Sequence, residues 1–221
     1  MPIEENIRNL EQRITEACER AGRPRKEVTL IAVTKTINIA TIEDAYSAGI
    51  HNFGENRIQE AEPKIDYFTT QNTNVTWHMI GHLQSNKAKT AANVFDIIHS
   101  IDSLKLAGIL NDYASKKIPV LIQVNVAAET SKSGFPLEEI NNALNQIARL
   151  PNLDIRGLMT IAPWVKDAET IRPVFRKLCQ LRDALGVQHL SMGMSNDFEV
   201  AIEEGATFIR VGRAIFGKRA F

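Results

Sequence analysis

Apolar and polar positions alternate along the chain in two patterns. Short, nearly continuous apolar runs are separated by stretches in which apolar residues recur every three or four positions. The runs are typical of strands in a parallel sheet covered on both faces, and the stretches are typical of amphipathic helices. The eight predicted strands cover residues 28–34, 50–54, 75–81, 95–101, 118–126, 154–161, 189–194 and 207–212. The predicted helices between them cover residues 41–48, 57–67, 86–93, 103–115, 137–150, 168–185 and 197–204.

One more helix precedes the first strand. Ile7, Leu10, Ile14, Ala17 and Ala21 give it an apolar face, and the Gly-Arg-Pro sequence after it ends it. This order predicts an α/β fold, a (β/α)8 TIM barrel with an extra N-terminal helix. A doubly wound open sheet would show the same alternation of strands and helices. It is less favoured because no Gly-x-Gly-x-x-Gly motif follows any strand. Because no linker or repeat interrupts the chain, we expect residues 1–221 to form a single domain.

Composition narrows the classes of function. The 26 Lys and Arg residues balance 26 Asp and Glu residues, which argues against a nucleic-acid binder. The N-terminus lacks the features of a signal peptide, and no apolar stretch approaches the ~20 residues of a membrane span. We therefore expect a soluble, cytoplasmic protein, and a monomer. Cys18 and Cys179 lie far apart and are expected to be reduced core thiols; a cysteine nucleophile is the less favoured alternative.

Lys35 closes the first predicted strand, at the end where TIM barrels carry their chemistry. A buried ammonium is unfavourable without a partner or a task, and desolvation lowers the pKa of lysine and makes the amine available for Schiff-base formation. The alternative is a lysine that reaches past the strand end to water.

A candidate phosphate site follows the last two strands. Ser195 lies on a turn before a helix, and Gly212 and Arg213 lie where strand eight opens into another helix. TIM barrels often bind phosphate with the loops after strands seven and eight, although an ordinary capping serine and turn glycine would look the same. Strands one and eight are neighbours in a closed barrel, so Lys35 and this site fit a phosphorylated aldehyde such as pyridoxal 5′-phosphate (PLP). Arg210, if it points inward, would face the pyridine nitrogen and keep it unprotonated; otherwise it faces solvent.

His78 and His82 raise the question of a metal. Gly81 and the strand context oppose a helical histidine pair, and no third ligand has a suitable spacing, so no metal is predicted.

Several separated segments together resemble one family. They are Ala32-Val33-Thr34-Lys35-Thr36, Phe53-Gly54-Glu55-Asn56, the run from Trp77 to Lys87, Gln123-Val124-Asn125-Val126, Ser131-Lys132-Ser133-Gly134, Arg156-Gly157-Leu158-Met159-Thr160, Met192-Gly193-Met194-Ser195 and the strand-eight motif. In this order they resemble the pyridoxal phosphate homeostasis protein family, whose barrel is similar to the N-terminal domain of alanine racemase.

The resemblance implies a role for each site residue. Lys35 would form the Schiff base, and the phosphate would be held by Ser195, Gly212 and Arg213. Arg210 would face the pyridine nitrogen. Asn56 would line the ring side of the pocket. Lys132 is expected to be a solvated loop lysine, with transient receipt of PLP as the alternative.

The resemblance favours a non-catalytic PLP carrier that buffers the cofactor or delivers it to apo-enzymes and so affects amino and keto acid balance. The alternative is a PLP-dependent amino-acid racemase-like enzyme. Racemases of similar fold use two opposed acid/base groups, one of them a tyrosine from a second domain, whereas Tyr46, Tyr67 and Tyr113 all fall in predicted helices here. A third possibility is a Schiff-base aldolase that uses Lys35 without PLP.

Overall fold

Eight parallel strands close into a barrel in the order of the chain, with β1 pairing both β2 and β8. The computed structural model describes residues 2–129 and 132–217, so Ser131 of the sequence motif lies outside the described residues. The strands are β1 Thr29–Val33, β2 Asn52–Glu55, β3 Thr76–Met79, β4 Ile97–Ile101, β5 Ile118–Gln123, β6 Leu153–Met159, β7 His189–Met194 and β8 Phe208–Val211. The predicted barrel is confirmed, and the β1–β8 pairing excludes the open sheet.

Helices surround the barrel and follow the predicted order. They are α1 Ile3–Arg20, α2 Ile39–Ser47, α3 Ile58–Thr70, α4 Ala88–Val94, α5 Leu104–Tyr113, α6 Ile140–Ile147, α7 Arg172–Leu185, α8 Phe198–Glu203 and α9 Arg213–Phe216. Within residues 2–129 and 132–217, none of these helices has the length and apolarity to cross a bilayer.

The extra helix α1 packs across α8 and α9, the helices that flank β8. Four of the five residues of its predicted face, Ile7, Leu10, Ile14 and Ala17, are buried, and Ala21 lies just past the end of the helix and is half-buried. The side-chain amide of Asn6 donates to the carbonyl oxygen of Ile215 at 2.9 Å. The N-terminal helix therefore holds the segment that follows β8.

Most observed strands are shorter than predicted, because the apolar runs continue past the sheet. Residues 80–81 and 124–126 were predicted as strand, but they leave the ladder and begin the loops at the carboxyl face. In the loop after β5, the Val124 amide donates to Met159 and the Phe135 amide donates to Gln123, each at 2.8 Å. These loops form the rim of the barrel.

The barrel interior is half apolar and half polar. Ile31, Leu121, Met159 and Phe208 form a small apolar cluster inside the strands. Alternation along each strand directs a second set of buried side chains into the same space: His78, His99, Ser191 and Arg210. The larger apolar core lies between the strands and the helices. A polar interior of this kind needs internal hydrogen-bond partners, because no bulk water reaches it.

Candidate functional site

A cavity of about 540 Å³ opens at the carboxyl ends of β1, β7 and β8. Its walls bring together five of the six predicted site residues: Lys35, Ser195, Arg210, Gly212 and Arg213. An amine, a hydroxyl group, two guanidinium groups and a glycine backbone thus share one concave space. Asn56 is the sixth residue, and it lies outside this cavity.

Lys35 reaches the cavity from the turn that follows β1. It comes two residues after Val33, the last residue of the strand, and both residues line the cavity. Lys35 is half-buried. The turn therefore brings the amine to the cavity wall, which supports the chemical interpretation of this lysine over the solvated one.

A buried ion pair supports the end of β1 from the opposite side. The ammonium of Lys64, on α3, donates to Oε1 of Glu55 at 2.6 Å and to the carbonyl oxygen of Thr34 at 2.8 Å. The Thr34 hydroxyl donates to the same Oε1 at 2.6 Å. Burial raises the pKa of Glu55, and the hydrogen bonds from Lys64 and Thr34 oppose that rise. This cluster fixes the residue that precedes Lys35 in the chain.

Ser195 lies on a tight turn between β7 and α8. The Asp197 carboxylate accepts the amide of Met194 at 2.6 Å, and the Asp197 amide donates back to the Met194 carbonyl oxygen at 3.1 Å. Burial raises the pKa of Asp197, and its hydrogen bonds and the charge of Arg210 lower it. The turn is thus held by the aspartate, and within the described residues no hydrogen bond occupies the Ser195 hydroxyl.

Gly212 allows the backbone after β8 to lie close to β1. A Cβ atom at this position would stand 3.3 Å from the carbonyl oxygen of Val33 and 3.4 Å from its Cβ. No backbone hydrogen bond between described residues uses the amide of Gly212 or of Arg213. The exposed Arg213 guanidinium donates to Oδ1 of Asn196 at 3.3 Å. Two amides, one hydroxyl and one cation are the groups that bind phosphate oxygens in proteins.

Arg210 points inward at the base of the cavity. Its side chain is buried, and Nη2 donates to the carbonyl oxygen of Thr160 at 2.8 Å. Burial lowers the pKa of Arg210 to about 10, against the opposing effect of Asp197. The guanidinium is therefore charged at neutral pH, and the solvent-facing interpretation of this residue is wrong.

Behind Arg210, a line of hydrogen bonds crosses the barrel. Nη1 of Arg210 donates to Oγ of Ser191, and that oxygen lies 2.8 Å from Nδ1 of His99. Nε2 of His99 lies 2.9 Å from Nδ1 of His78, and Nε2 of His78 lies 3.0 Å from Oδ1 of Asn52. Burial lowers the pKa of His78 to about 3; burial, His78 and Arg210 lower that of His99 well below its usual value.

His99 and Ser191 were not among the sequence candidates. Both lie inside predicted strands, and the alternation of buried positions there puts each on the inward face. His78 was considered as a metal ligand, but its ring is occupied by Asn52 and His99. His82 lies on the rim and pairs with Asp102 at 2.9 Å. Across residues 2–129 and 132–217, no group of three or more His, Cys, Asp or Glu side chains is placed to hold a metal ion.

Asn56 follows β2 and lines a second cavity, of about 730 Å³, together with His82 and Lys87. Gly81 packs directly on it, since a Cβ there would lie 2.4 Å from the carbonyl oxygen of Asn56. The structure therefore places Asn56 one strand away from the cavity of Lys35, on the neighbouring part of the rim.

The remaining candidates lie away from the cavity. Lys132 donates to the Glu129 carboxylate at 2.7 Å and to the carbonyl oxygen of Ile161 at 3.3 Å. Cys18 is buried and Cys179 half-buried, both as free thiols, and burial raises the pKa of each. A raised pKa suits a structural thiol and disfavours a nucleophile.

One aromatic residue, Trp164, lies at the mouth of the cavity. Trp164, 73% exposed, lines the mouth in the loop after β6. Tyr46, Tyr67 and Tyr113 lie in helices α2, α3 and α5, as predicted, and none of them lines the cavity. Of the described lining residues, none offers a phenol.

The fold and the cavity define a class: a TIM barrel with a lysine at the end of its first strand and anion donors after its last two. Residues 5–220 match the family model described as alanine racemase, N-terminal domain. The chain is 42% identical over 226 residues to the pyridoxal phosphate homeostasis protein of Aquifex aeolicus, covering 98% of each chain. It is 41% identical to that of Escherichia coli K12, covering 99% of this chain and 97% of the other. The chain belongs to the pyridoxal phosphate homeostasis protein family.

Solved structures agree with this family. The structure of PipY from Synechococcus elongatus with PLP bound has a TM-score of 0.82 and 37% identity, and the match covers 97% of this chain and all of that one. The alanine racemase from Corynebacterium glutamicum, at 16% identity and a TM-score of 0.69, shares the fold, and the match covers 99% of this chain and 61% of that one.

Proposed function

We propose that this barrel binds PLP in the cavity of Lys35 and acts as a carrier in PLP homeostasis. The observation that carries the proposal is the shared cavity: one amine, a group of phosphate donors and one buried guanidinium line a single space of about 540 Å³. The PLP-bound PipY structure, a relative at 37% identity, supports the choice of cofactor.

Each residue has one task in this proposal. The amine of Lys35 would hold the cofactor covalently at its aldehyde carbon. The Ser195 hydroxyl and the amides of Gly212 and Arg213 would donate hydrogen bonds to the phosphate oxygens. Arg210 would act as a donor toward the pyridine nitrogen and disfavour its protonation. When bound, PLP supplies an electron sink, which an unprotonated pyridine nitrogen weakens.

The described lining of the cavity offers few groups for acid/base catalysis. Racemisation needs an acid/base on each face of the substrate. Lys35 would serve one face; none of the described lining residues is a tyrosine, histidine or cysteine, and their one carboxylate, Asp197, accepts the amide of Met194. We therefore favour a non-catalytic role over the racemase-like alternative. The open mouth beside Trp164 suits the exchange of a cofactor.

We propose that the chain works in the cytoplasm as a monomer, as a single domain over residues 1–221. Its function is to buffer PLP and deliver it to apo-enzymes, through which it influences amino and keto acid balance. Asn56 is proposed to approach the ring side of the bound cofactor from the neighbouring rim, and Lys132, paired with Glu129, to have no direct role in binding PLP.

A transfer experiment tests the carrier. PLP-loaded protein, freed of excess cofactor, is mixed with an apo-transaminase, and the recovery of transaminase activity is followed. We expect recovery with the wild type, none with protein that was never loaded, and negligible racemisation of L-alanine by the loaded protein. Robust racemisation that is lost in Lys35→Ala would establish the enzyme instead. A protein that takes up no PLP would favour the aldolase.

A further inference from the structure

The buried side chains that connect Arg210 to Asn52 have no part in the binding roles above. His78, His99 and Ser191 are fully buried, and each hydrogen bond between them is 2.8–2.9 Å long. Polar side chains in the interior of a barrel are unfavourable unless they are completely paired, so a paired line of this length requires a function or a strong structural reason.

With the carbonyl oxygen of Asn52 toward His78, one arrangement of protons satisfies every pair in this line. Asn52 presents its carbonyl oxygen to His78, so Nε2 of His78 carries the proton and Nδ1 accepts. Nε2 of His99 therefore donates to His78, and Nδ1 of His99 accepts. The Ser191 hydroxyl donates to that nitrogen and presents its lone pairs to Arg210. Every proton points away from the guanidinium.

The arrangement makes Ser191 a good acceptor for Arg210. Hydrogen bonds that run in the same direction polarise one another and strengthen the acceptor at the end of the line. Together, Ser191 and the carbonyl oxygen of Thr160 fix two of the five N–H groups of Arg210. The guanidinium keeps one orientation, at the base of the cavity that it lines.

We propose that Ser191, His99 and His78 are positioning residues that hold the guanidinium of Arg210 toward the pyridine nitrogen of bound PLP. They touch neither the cofactor nor the cavity, and they act only through Arg210. This inference rests on the proposed function and adds to it the residues that set the electronic state of the cofactor.

The chain offers a matched pair of serines for the test. Ser100, next to His99 on β4, is also fully buried, and among the described residues its hydroxyl has no hydrogen-bond partner. We compare Ser191→Ala with Ser100→Ala in the PLP-loaded full chain. Equilibrium dialysis gives the affinity for PLP, and a pH titration of the visible band gives its midpoint.

We expect Ser191→Ala to weaken PLP binding about tenfold, since a hydrogen bond to a charged group is lost, while Ser100→Ala stays within about twofold. We also expect the band of Ser191→Ala to titrate at a higher pH. A guanidinium that is not held in place opposes protonation of the cofactor more weakly. If both variants have the affinity and midpoint of the wild type, the proposal is wrong.

A second pair of variants covers the case in which Ser191→Ala does not fold. In His99→Asn, the new side-chain oxygen takes the place of Nδ1 and accepts from Ser191. In His99→Leu, the new side chain has a similar size but no acceptor. We expect the visible band of His99→Asn to titrate at the midpoint of the wild type. The band of His99→Leu should titrate at the shifted midpoint. Equal midpoints in the two variants would contradict the proposal.

Proton positions are tested without any cofactor. Long-range ¹H–¹⁵N spectra of the apoprotein at neutral pH are expected to show His78 and His99 as neutral rings protonated on Nε2. A proton on Nδ1 of His99 would overturn the proposed direction, whether or not the protein binds PLP. A wild type without a PLP band would refute the proposed function alone.

Discussion

Lys35 and Arg210 approach the same cavity from different heights. Arg210 pairs with Ile31 in the β1–β8 register, whereas Lys35 lies two residues beyond Val33, the last residue of β1. The backbone of Lys35 is therefore nearer the open end of the barrel than that of Arg210. The amine therefore enters from the rim and the guanidinium from the base, as a flat cofactor with groups at both ends requires.

Gly212→Ala is expected to weaken binding of the phosphate group. The new Cβ would stand 3.3 Å from the Val33 carbonyl oxygen and would push the Gly212 and Arg213 amides away from β1. We expect a loss of about tenfold in PLP affinity, equivalent to about 1.4 kcal/mol, and little change for pyridoxal, which lacks phosphate. Fluorescence titration with both ligands measures the difference.

Gly108→Ala is the control for this variant. Gly108 lies in α5, and a Cβ there would meet nothing within 4 Å. We expect unchanged PLP affinity and a gain in stability of about 0.5–1 kcal/mol, since alanine favours a helix. Equal losses for PLP and pyridoxal in Gly212→Ala would show that the phosphate binds elsewhere.

The buried pair of Glu55 and Lys64 should be sensitive to the loss of one partner. Lys64→Met leaves the Glu55 carboxylate buried without its cation, which typically destabilises a protein by about 3–5 kcal/mol. Adding Glu55→Leu to this variant should restore most of the loss. Urea unfolding of the two variants tests both statements.

A surface ion pair provides the comparison. Arg8 and Glu4 lie 3.1 Å apart with both side chains 73% exposed, so Arg8→Met should change stability by less than about 1 kcal/mol. Should Lys64→Met be equally mild, the pair does not support the end of β1.

Stability should decrease as the pH falls from 7.5 to 5.5. His78 and His99 are held neutral in the folded chain, with lowered pKa values, whereas unfolded histidines bind protons below about 6.5. The unfolded state then binds more protons, so acid favours unfolding, by about 2.5 kcal/mol at pH 5.5 for the two rings together. Urea midpoints at the two pH values measure the change.

Single replacements separate the contribution of the buried rings. His99→Asn should remove the contribution of His99, about 1.3 kcal/mol, and leave those of His78 and of His189, whose pKa burial also lowers. The same replacement of the exposed His51 serves as the control and should leave the pH effect as in the wild type. An identical pH effect in all three proteins would place the responsible groups elsewhere.

The sequence could predict the fold because every strand and helix has its own pattern. Apolar runs mark the strands, and the closed register follows once eight of them alternate with helices. Strand ends were less predictable: Val124 and Val126 are as apolar as the strand before them, but the chain turns here and the Asn125 amide donates to the carbonyl oxygen of Phe135 in the same loop. Local hydrophobicity does not record where a ladder stops.

The lining of the cavity was predictable where a residue type and a strand end coincide, as for Lys35 and Ser195. The supporting residues were not, because their role depends on contacts across the barrel. Ser191 and His99 are 92 residues apart and meet only after closure. Lys64 looks like any surface lysine of a helix until α3 packs on β2. Such pairings require the three-dimensional fold.

Trp164 should report cofactor binding by its fluorescence. It lines the mouth of the cavity with 73% of its surface exposed, whereas Trp77 is buried in β3. PLP bound in the cavity should quench most of the Trp164 emission by energy transfer at short range. We expect the quenching to disappear in Trp164→Phe; quenching that persists in this variant would place the bound cofactor nearer Trp77.

Borohydride reduction tests the central claim most directly. The wild type, Lys35→Ala and Lys132→Ala are incubated with PLP, reduced, digested and analysed by mass spectrometry. We predict a visible band that borohydride removes in the wild type and in Lys132→Ala, with the pyridoxyl group on the peptide that contains Lys35, and neither band nor adduct in Lys35→Ala. An adduct on another lysine, or an unchanged band in Lys35→Ala, would contradict the assignment.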